Sequence, residues 1–257
     1  MSRFSNLEFD ANSEHNAPDS EVVRDEAYFM SEAQQNFELG EFEPALRAYA
    51  KVLEFNPQQA AAWTGQVRML IELEEFREAR LWADKALERF PHEPELLAAK
   101  AVALGRMGDL KEAMAFSDAA IEERGDTPYI WLARGDVLLA NREKLADYCF
   151  EKAFTLARTS WVLPWLASRI YCYYQKFAVA LKLAQQALAL EVGKGAIWLQ
   201  LGVCQQALGL AVPARNSFEQ ALQLNPHDRV ADRLLIEQRQ GQGVKAQLRG
   251  WWRRIFK

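Results

Sequence analysis

Cysteine is scarce in this chain: Cys149, Cys172 and Cys204 are odd in number, and no two form a C-x-x-C pair. That excludes a disulfide framework and reads as reduced thiols of a cytosolic protein, buried as small apolar residues. Histidine is equally sparse. His15, His92 and His227 stand apart, with no metal-ligand spacing, so neither metal nor other cofactor is expected. Glycine (13) and proline (9) are few for 257 residues, which favours helices over sandwiches and collagen-like or loop-rich structure. Neither sign of charge dominates, with 31 basic against 35 acidic side chains and a net charge of −4. An acidic pI of about 5.6 argues against wholesale binding to phosphate backbones, so nucleic acid is disfavoured as a partner. No apolar run approaches the ~20 residues of a spanning helix, and residues 1–24 hold no apolar core of signal-peptide length. The expected location is cytoplasmic. The phosphate-binding and nucleophile motifs G-x-x-x-x-G-K-[ST], G-x-G-x-x-G and G-x-S-x-G are missing. Carboxylate runs such as Glu72 to Glu75 read as solvated helix faces, so the chain is not expected to be an enzyme.

What the chain does have is a repeat. Ala45, Ala79, Ala113, Ala146, Ala180 and Ala214 are spaced 34, 34, 33, 34 and 34 residues apart. Seven residues further on come Val52, Ala86, Ala120, Ala153, Ala187 and Ala221. A third small column precedes the first: Ala33, Val67, Ala101, Gly135, Ser168 and Gly202. Four residues before it stands a mostly large column of Phe29, Trp63, Leu97, Trp131, Pro164 and Trp198. Small residues where one helix crosses another let backbones approach, and a large one fills the gap between neighbouring units. The pattern therefore predicts two antiparallel helices per unit. Gly40, Gly108 and Gly209 end first helices, where a left-handed conformation suits glycine. Pro57, Pro91 and Pro226 fall between units, where proline stops a helix. Helices of about a dozen residues are marginal alone, so stacking must stabilise them.

These residues resemble the tetratricopeptide repeat. The last unit fits the family pattern best, with Trp198-x2-Leu201-Gly202 followed by Gly209, Ala214, Phe218, Ala221 and Pro226. Units three to five are degenerate: Leu97 replaces an aromatic, Gly125, Arg158 and Val192 replace the terminal proline, and the fourth unit is one residue short near Asn141 to Lys144. The resemblance covers residues 26–228 and implies an all-α, right-handed superhelical solenoid of six antiparallel helix pairs. A basic RNA-binding helical repeat would lack the Trp-x2-Leu-Gly signature and is disfavoured.

Outside the repeats, residues 1–25 read as an acidic disordered arm, and 229–240 as a capping helix with Val230, Leu234 and Leu235 on one face. Residues 244–257 read as a basic amphipathic helix. Its Arg249, Trp251, Trp252, Arg253, Arg254, Ile255, Phe256 and Lys257 would contact anionic lipid, the solenoid or a sister subunit, or another partner.

In the family, first helices line an inner surface that receives peptides or partner helices. The resemblance carries that role here to Gln34, Arg68, Asp136, Trp165 and Arg169, flanked by Phe37, Arg106, Tyr129 and Tyr173, with Ala98 leaving the third unit's share shallow and open. The family's two-carboxylate clamp uses lysines and asparagines at fixed positions, and Met30 and Gln34 occupy the first of them, so a chaperone-tail role is disfavoured. The expected function is a non-catalytic scaffold or adaptor binding a protein or peptide segment in the concave groove. Two alternatives stay open. One is a peripheral membrane adaptor using the C-terminal helix; the other is a self-assembling structural protein whose acidic arm binds a neighbouring copy, a homo-oligomer.

Overall fold

The computed structural model describes residues 24–123 and 126–239. Thirteen α-helices and no strand occur among them, an all-α fold of the solenoid class. The acidic arm, apart from Arg24 and Asp25, lies outside the described residues, as does the basic stretch 244–257 with all eight of its candidate contact residues. The chain divides into two compact units, the first ending at Leu156 and the second starting at Ala157.

The first unit holds four helix hairpins: α1 (Glu26–Leu39) with α2 (Phe42–Phe55), α3 (Ala60–Glu72) with α4 (Phe76–Arg89), α5 (Pro94–Met107) with α6 (Leu110–Glu122), and α7 (Pro128–Ala140) with α8 (Ala146–Leu156). The second pairs α9 (Val162–Tyr173) with α10 (Phe177–Leu190) and α11 (Gly195–Ala207) with α12 (Ala211–Leu224), and α13 (Arg229–Arg239) packs on α12. The small columns are the contact lines. Ala45, Ala79, Ala113, Ala180 and Ala214 are all 0% exposed, and Ala146 is 2% exposed. Each is the point where a second helix presses on the first.

The turn inside each hairpin is the most regular feature of the chain. Six residues at the repeat spacing adopt positive φ: Gly40 (78°), Glu74 (62°), Gly108 (92°), Arg142 (58°), Gln175 (60°) and Gly209 (79°). The following N–H closes back on a carbonyl five residues earlier, from Glu41 to Asn36, Glu75 to Leu70, Asp109 to Leu104, Glu143 to Leu138, Lys176 to Tyr171 and Leu210 to Gln205, at 2.8–3.0 Å. Glycine marks only three of these turns. The other three carry a side chain in the left-handed region at a cost of about 1 kcal/mol, which the packed hairpin imposes. The missing residue of the fourth repeat falls just after Arg142, and α8 accordingly begins at Ala146 and is the shortest second helix, 11 residues.

Between hairpins the large column fixes the chain by hydrogen bonds as well as by bulk. The indole N–H groups of Trp63, Trp131 and Trp198 donate to Pro57 O (2.9 Å), Asp126 Oδ1 (2.7 Å) and Val192 O (2.9 Å). Each ties a first helix to the turn that precedes it. In α13 the apolar face differs from the sequence expectation: Ala231, Leu234 and Leu235 are buried while Val230 is 44% exposed. Asp228 caps the helix, its Oδ1 accepting from Val230 N and Ala231 N. That cap sets the rotation, turning Val230 outward.

Candidate functional site

In the first unit, first helices pack on one another in order, α3 on α5 and α5 on α7. This close packing buries most positions that the repeat register assigns to a binding surface. Ala98 (2% exposed), Val102 (4%) and Leu132 (2%) belong to the interior. Only long side chains emerge. Gln34 on α1 is exposed, and its Nε2 donates to Glu38 Oε1 at 3.0 Å. Arg68 on α3 is half-buried, its guanidinium carbon 4.0 Å from the ring centroid of Tyr129 on α7 and 5.6 Å from that of Phe37 at the end of α1. Three expected residues thus form one cluster: a cation held between aromatic faces contributed by α1 and α7.

The cluster also fills space that sequence left open. Tyr129 packs against the apolar cluster that contains Ala98. Ala98 itself is enclosed in that cluster, 2% exposed, where the sequence left the third unit's share of the groove open. Burial pushes the Tyr129 phenol well above its ordinary range. Arg68 opposes that rise, while the carboxylates of Glu95, Glu72 and Asp136 add to it. Tyr49, beneath α3, is raised for the same reason, with Arg68 again opposing.

Arg106 and Asp136 have a different place from the one expected. Arg106 Nε and a terminal guanidinium nitrogen donate to the two carboxylate oxygens of Asp136 at 2.8 and 2.7 Å. The two side chains are only 7% and 4% exposed. This is a two-pronged buried ion pair linking α5 to α7, and the Arg106 guanidinium also lies 6.0 Å from the Phe76 ring. Neither charge is presented to a partner. The 30-residue separation puts them on neighbouring first helices, where opposite charges in a dry interface must pair.

In the second unit Trp165 is a core residue, 1% exposed, and its indole N–H donates to Ala196 O at 3.2 Å across to α11. It binds α9 to α11 rather than facing outward. Arg169, one turn later on α9, is half-buried with its guanidinium carbon 5.7 Å from the Trp165 ring. Tyr173 is half-buried and meets Tyr174 edge to face at 5.1 Å. Leu199 and Val203 of α11 are partly buried beside the core.

Sequence reasoning missed two associations. One is Phe76 beside Arg106. The other is Cys172 with Cys204, whose sulfurs lie 3.9 Å apart. The signal for the second was available: 32 residues is two short of the repeat, the offset that faces two first helices toward each other. Among the described residues no group of three or more His, Cys, Asp or Glu could hold a metal ion. No helix among them is long and apolar enough to cross a membrane.

Several solved structures are similar to this chain. The human IFIT1 dimer with m7Gppp-AAAA is 17% identical, with a TM-score of 0.51, and the match covers 89% of this chain and 58% of that one. YrrB, a TPR protein with an unusual peptide-binding site, is 18% identical (TM-score 0.42; 74% of this chain, 98% of that one). The Cut9–Hcn1 hetero-tetramer of the APC/C is 16% identical (TM-score 0.47; 84% and 50%). The chain thus spans only half to three-fifths of the length of two of these relatives. No curated protein matches in sequence. The family model described as tetratricopeptide repeat matches residues 8–163, more than half of the 257. Six hairpins at a 34-residue spacing, buried alanine columns and that match together establish that the chain belongs to the tetratricopeptide repeat family.

Proposed function

We propose that this chain is a non-catalytic scaffold that binds a mildly acidic, amphipathic protein segment on the surface formed by the first helices of its N-terminal unit. The observation that supports this reading is Arg68. A guanidinium 4.0 Å from the Tyr129 ring, half-buried and flanked by Phe37, is partly desolvated and fixed before any partner arrives. A guanidinium held over an aromatic ring can still offer N–H groups to a carboxylate, while the surrounding aromatic surface takes apolar side chains. Preorganisation of this kind lowers the entropy cost of binding. Gln34, exposed about one turn before Phe37 on α1, adds a neutral amide.

The full-length chain should be tested on an array of peptides graded from acidic amphipathic to basic, followed by titration calorimetry of the best binder. Wild type is expected to select acidic amphipathic peptides, and Arg68→Gln to lose at least tenfold in affinity, about 1.4 kcal/mol. Selection of basic peptides, or Arg68→Gln binding as well as wild type, would sink the reading.

A further inference from the structure

Two thiols in the second unit have surroundings that a merely space-filling cysteine does not need. Cys172 on α9 and Cys204 on α11 stand with Sγ atoms 3.9 Å apart, and they are 8% and 0% exposed. Polar groups converge on Cys204. Gln200 Nε2 donates to its Sγ at 3.5 Å and to Ser168 Oγ at 3.1 Å. Ser168 Oγ lies 3.7 Å from the same sulfur and donates to Ala180 O at 2.8 Å. Together these place amide, hydroxyl and thiol groups around one buried sulfur.

We propose that Cys172 and Cys204 form an oxidisable dithiol, converted by hydrogen peroxide into a disulfide that ties α9 to α11. Cys204, whose sulfur accepts from the Gln200 amide at 3.5 Å, is the attacking sulfur. The hydrogen bond from Cys172 is the main influence holding its thiol below the ordinary range, against the opposing effect of burial. The same bond, with burial, pushes Cys172 up. In the first step the Cys204 thiolate attacks one peroxide oxygen. The O–O bond breaks, hydroxide leaves and takes up a proton as water, and Cys204 becomes a sulfenic acid. Cys172 then attacks Cys204 Sγ, giving up its proton as the S–O bond breaks and a second water leaves. Two thiols and one peroxide yield one disulfide and two waters, the peroxide being the two-electron oxidant. Cys149, buried in the first unit, has no second thiol beside it. Its thiol is raised by burial and takes no part. This inference is independent of the proposed partner surface.

The test uses the full-length chain. It is treated with hydrogen peroxide under native conditions, quenched with catalase, denatured and alkylated with N-ethylmaleimide. Intact mass and peptide mapping follow. The expected result is one alkylation where the reduced protein takes three, a cross-linked peptide pair holding Cys172 and Cys204, and reversal by dithiothreitol. Mixing heavy- and light-isotope chains should give no mixed cross-link. Three alkylations, a cross-link between chains, or sulfinic acid on either residue without a cross-link would overturn the proposal. Cys149→Ala should leave the cross-link unchanged and reduce alkylation of the oxidised chain to none. Cys172→Ser, which keeps a hydrogen-bond donor beside Cys204 and removes the second thiol, should stop at a Cys204 sulfenic acid trapped by dimedone, and no adduct on a folded variant would also count against it. Should that variant fail to fold, the wild-type map decides alone.

Discussion

Arg106→Ala separates a structural arginine from a partner-binding one. If Arg106 were a surface anchor, removing it would change stability by no more than about 0.5 kcal/mol. The structure gives a different expectation. Truncation deletes both bonds to Asp136, at 2.8 and 2.7 Å, and leaves a carboxylate that is only 4% exposed without its cation. Breaking a buried pair from one side costs about 3–5 kcal/mol, most of it the penalty of the stranded charge. Loss of the Phe76 contact at 6.0 Å adds up to about 1 kcal/mol. With a urea slope of roughly 2 kcal/mol per molar, the unfolding midpoint of the first unit should fall by about 2 M. Circular dichroism reports the midpoint, and hydrogen exchange should place the lost protection in α5 and α7. Because the pair is buried, the deficit should persist in about 1 M salt, which screens exposed pairs. Arg106→Leu combined with Asp136→Leu should recover most of the loss, since an apolar replacement of both partners strands no charge. A midpoint shift under about 0.3 M for Arg106→Ala, with hydrogen exchange unchanged, would refute the argument.

Two further outcomes follow from the same packing. A Cβ on Gly202 would lie 2.5 Å from Phe218 Cε1, and one on Gly135 2.7 Å from Phe150 Cζ, both rings being fully enclosed. Gly202→Ala and Gly135→Ala should each cost about 1–3 kcal/mol in urea denaturation, and Phe218→Leu should partly restore Gly202→Ala. Tyr129 supplies a pH dependence. Its folded phenol is raised above the unfolded value of 10.0, so folded and unfolded states are both neutral below that pH and the contribution is intact there. Above it the unfolded chain releases a proton that the folded chain keeps, and stability falls as pH rises. Denaturation from about pH 9 to about pH 11 should therefore weaken wild type more than Tyr129→Phe; equal losses would contradict the assignment.

The hairpins, their order and the residues at their contacts were legible in the chain because a 34-residue period is a statement about which residues must be small. An alanine in a column is buried whatever its neighbours are, as all six of the first column are. The left-handed turns were legible only in part. Gly40, Gly108 and Gly209 announce themselves, whereas Glu74, Arg142 and Gln175 adopt the same conformation because the hairpin around them leaves no other closure. The fate of the long polar side chains was decided entirely in three dimensions. Arg68 and Arg169 stand at the same repeat position and Arg106 one turn further along its helix, yet the first meets Tyr129, the second Trp165 and the third a buried carboxylate. A periodic pattern fixes the direction of a Cβ. What a side chain reaches depends on which residue the next helix presents, and for Arg106 that was Asp136, for Cys172 it was Cys204. Sequence by itself determined the repeat and its core. Tertiary contact between successive first helices decided which charges and thiols remained available for chemistry, because only there do residues about 30 positions apart share a dry interface.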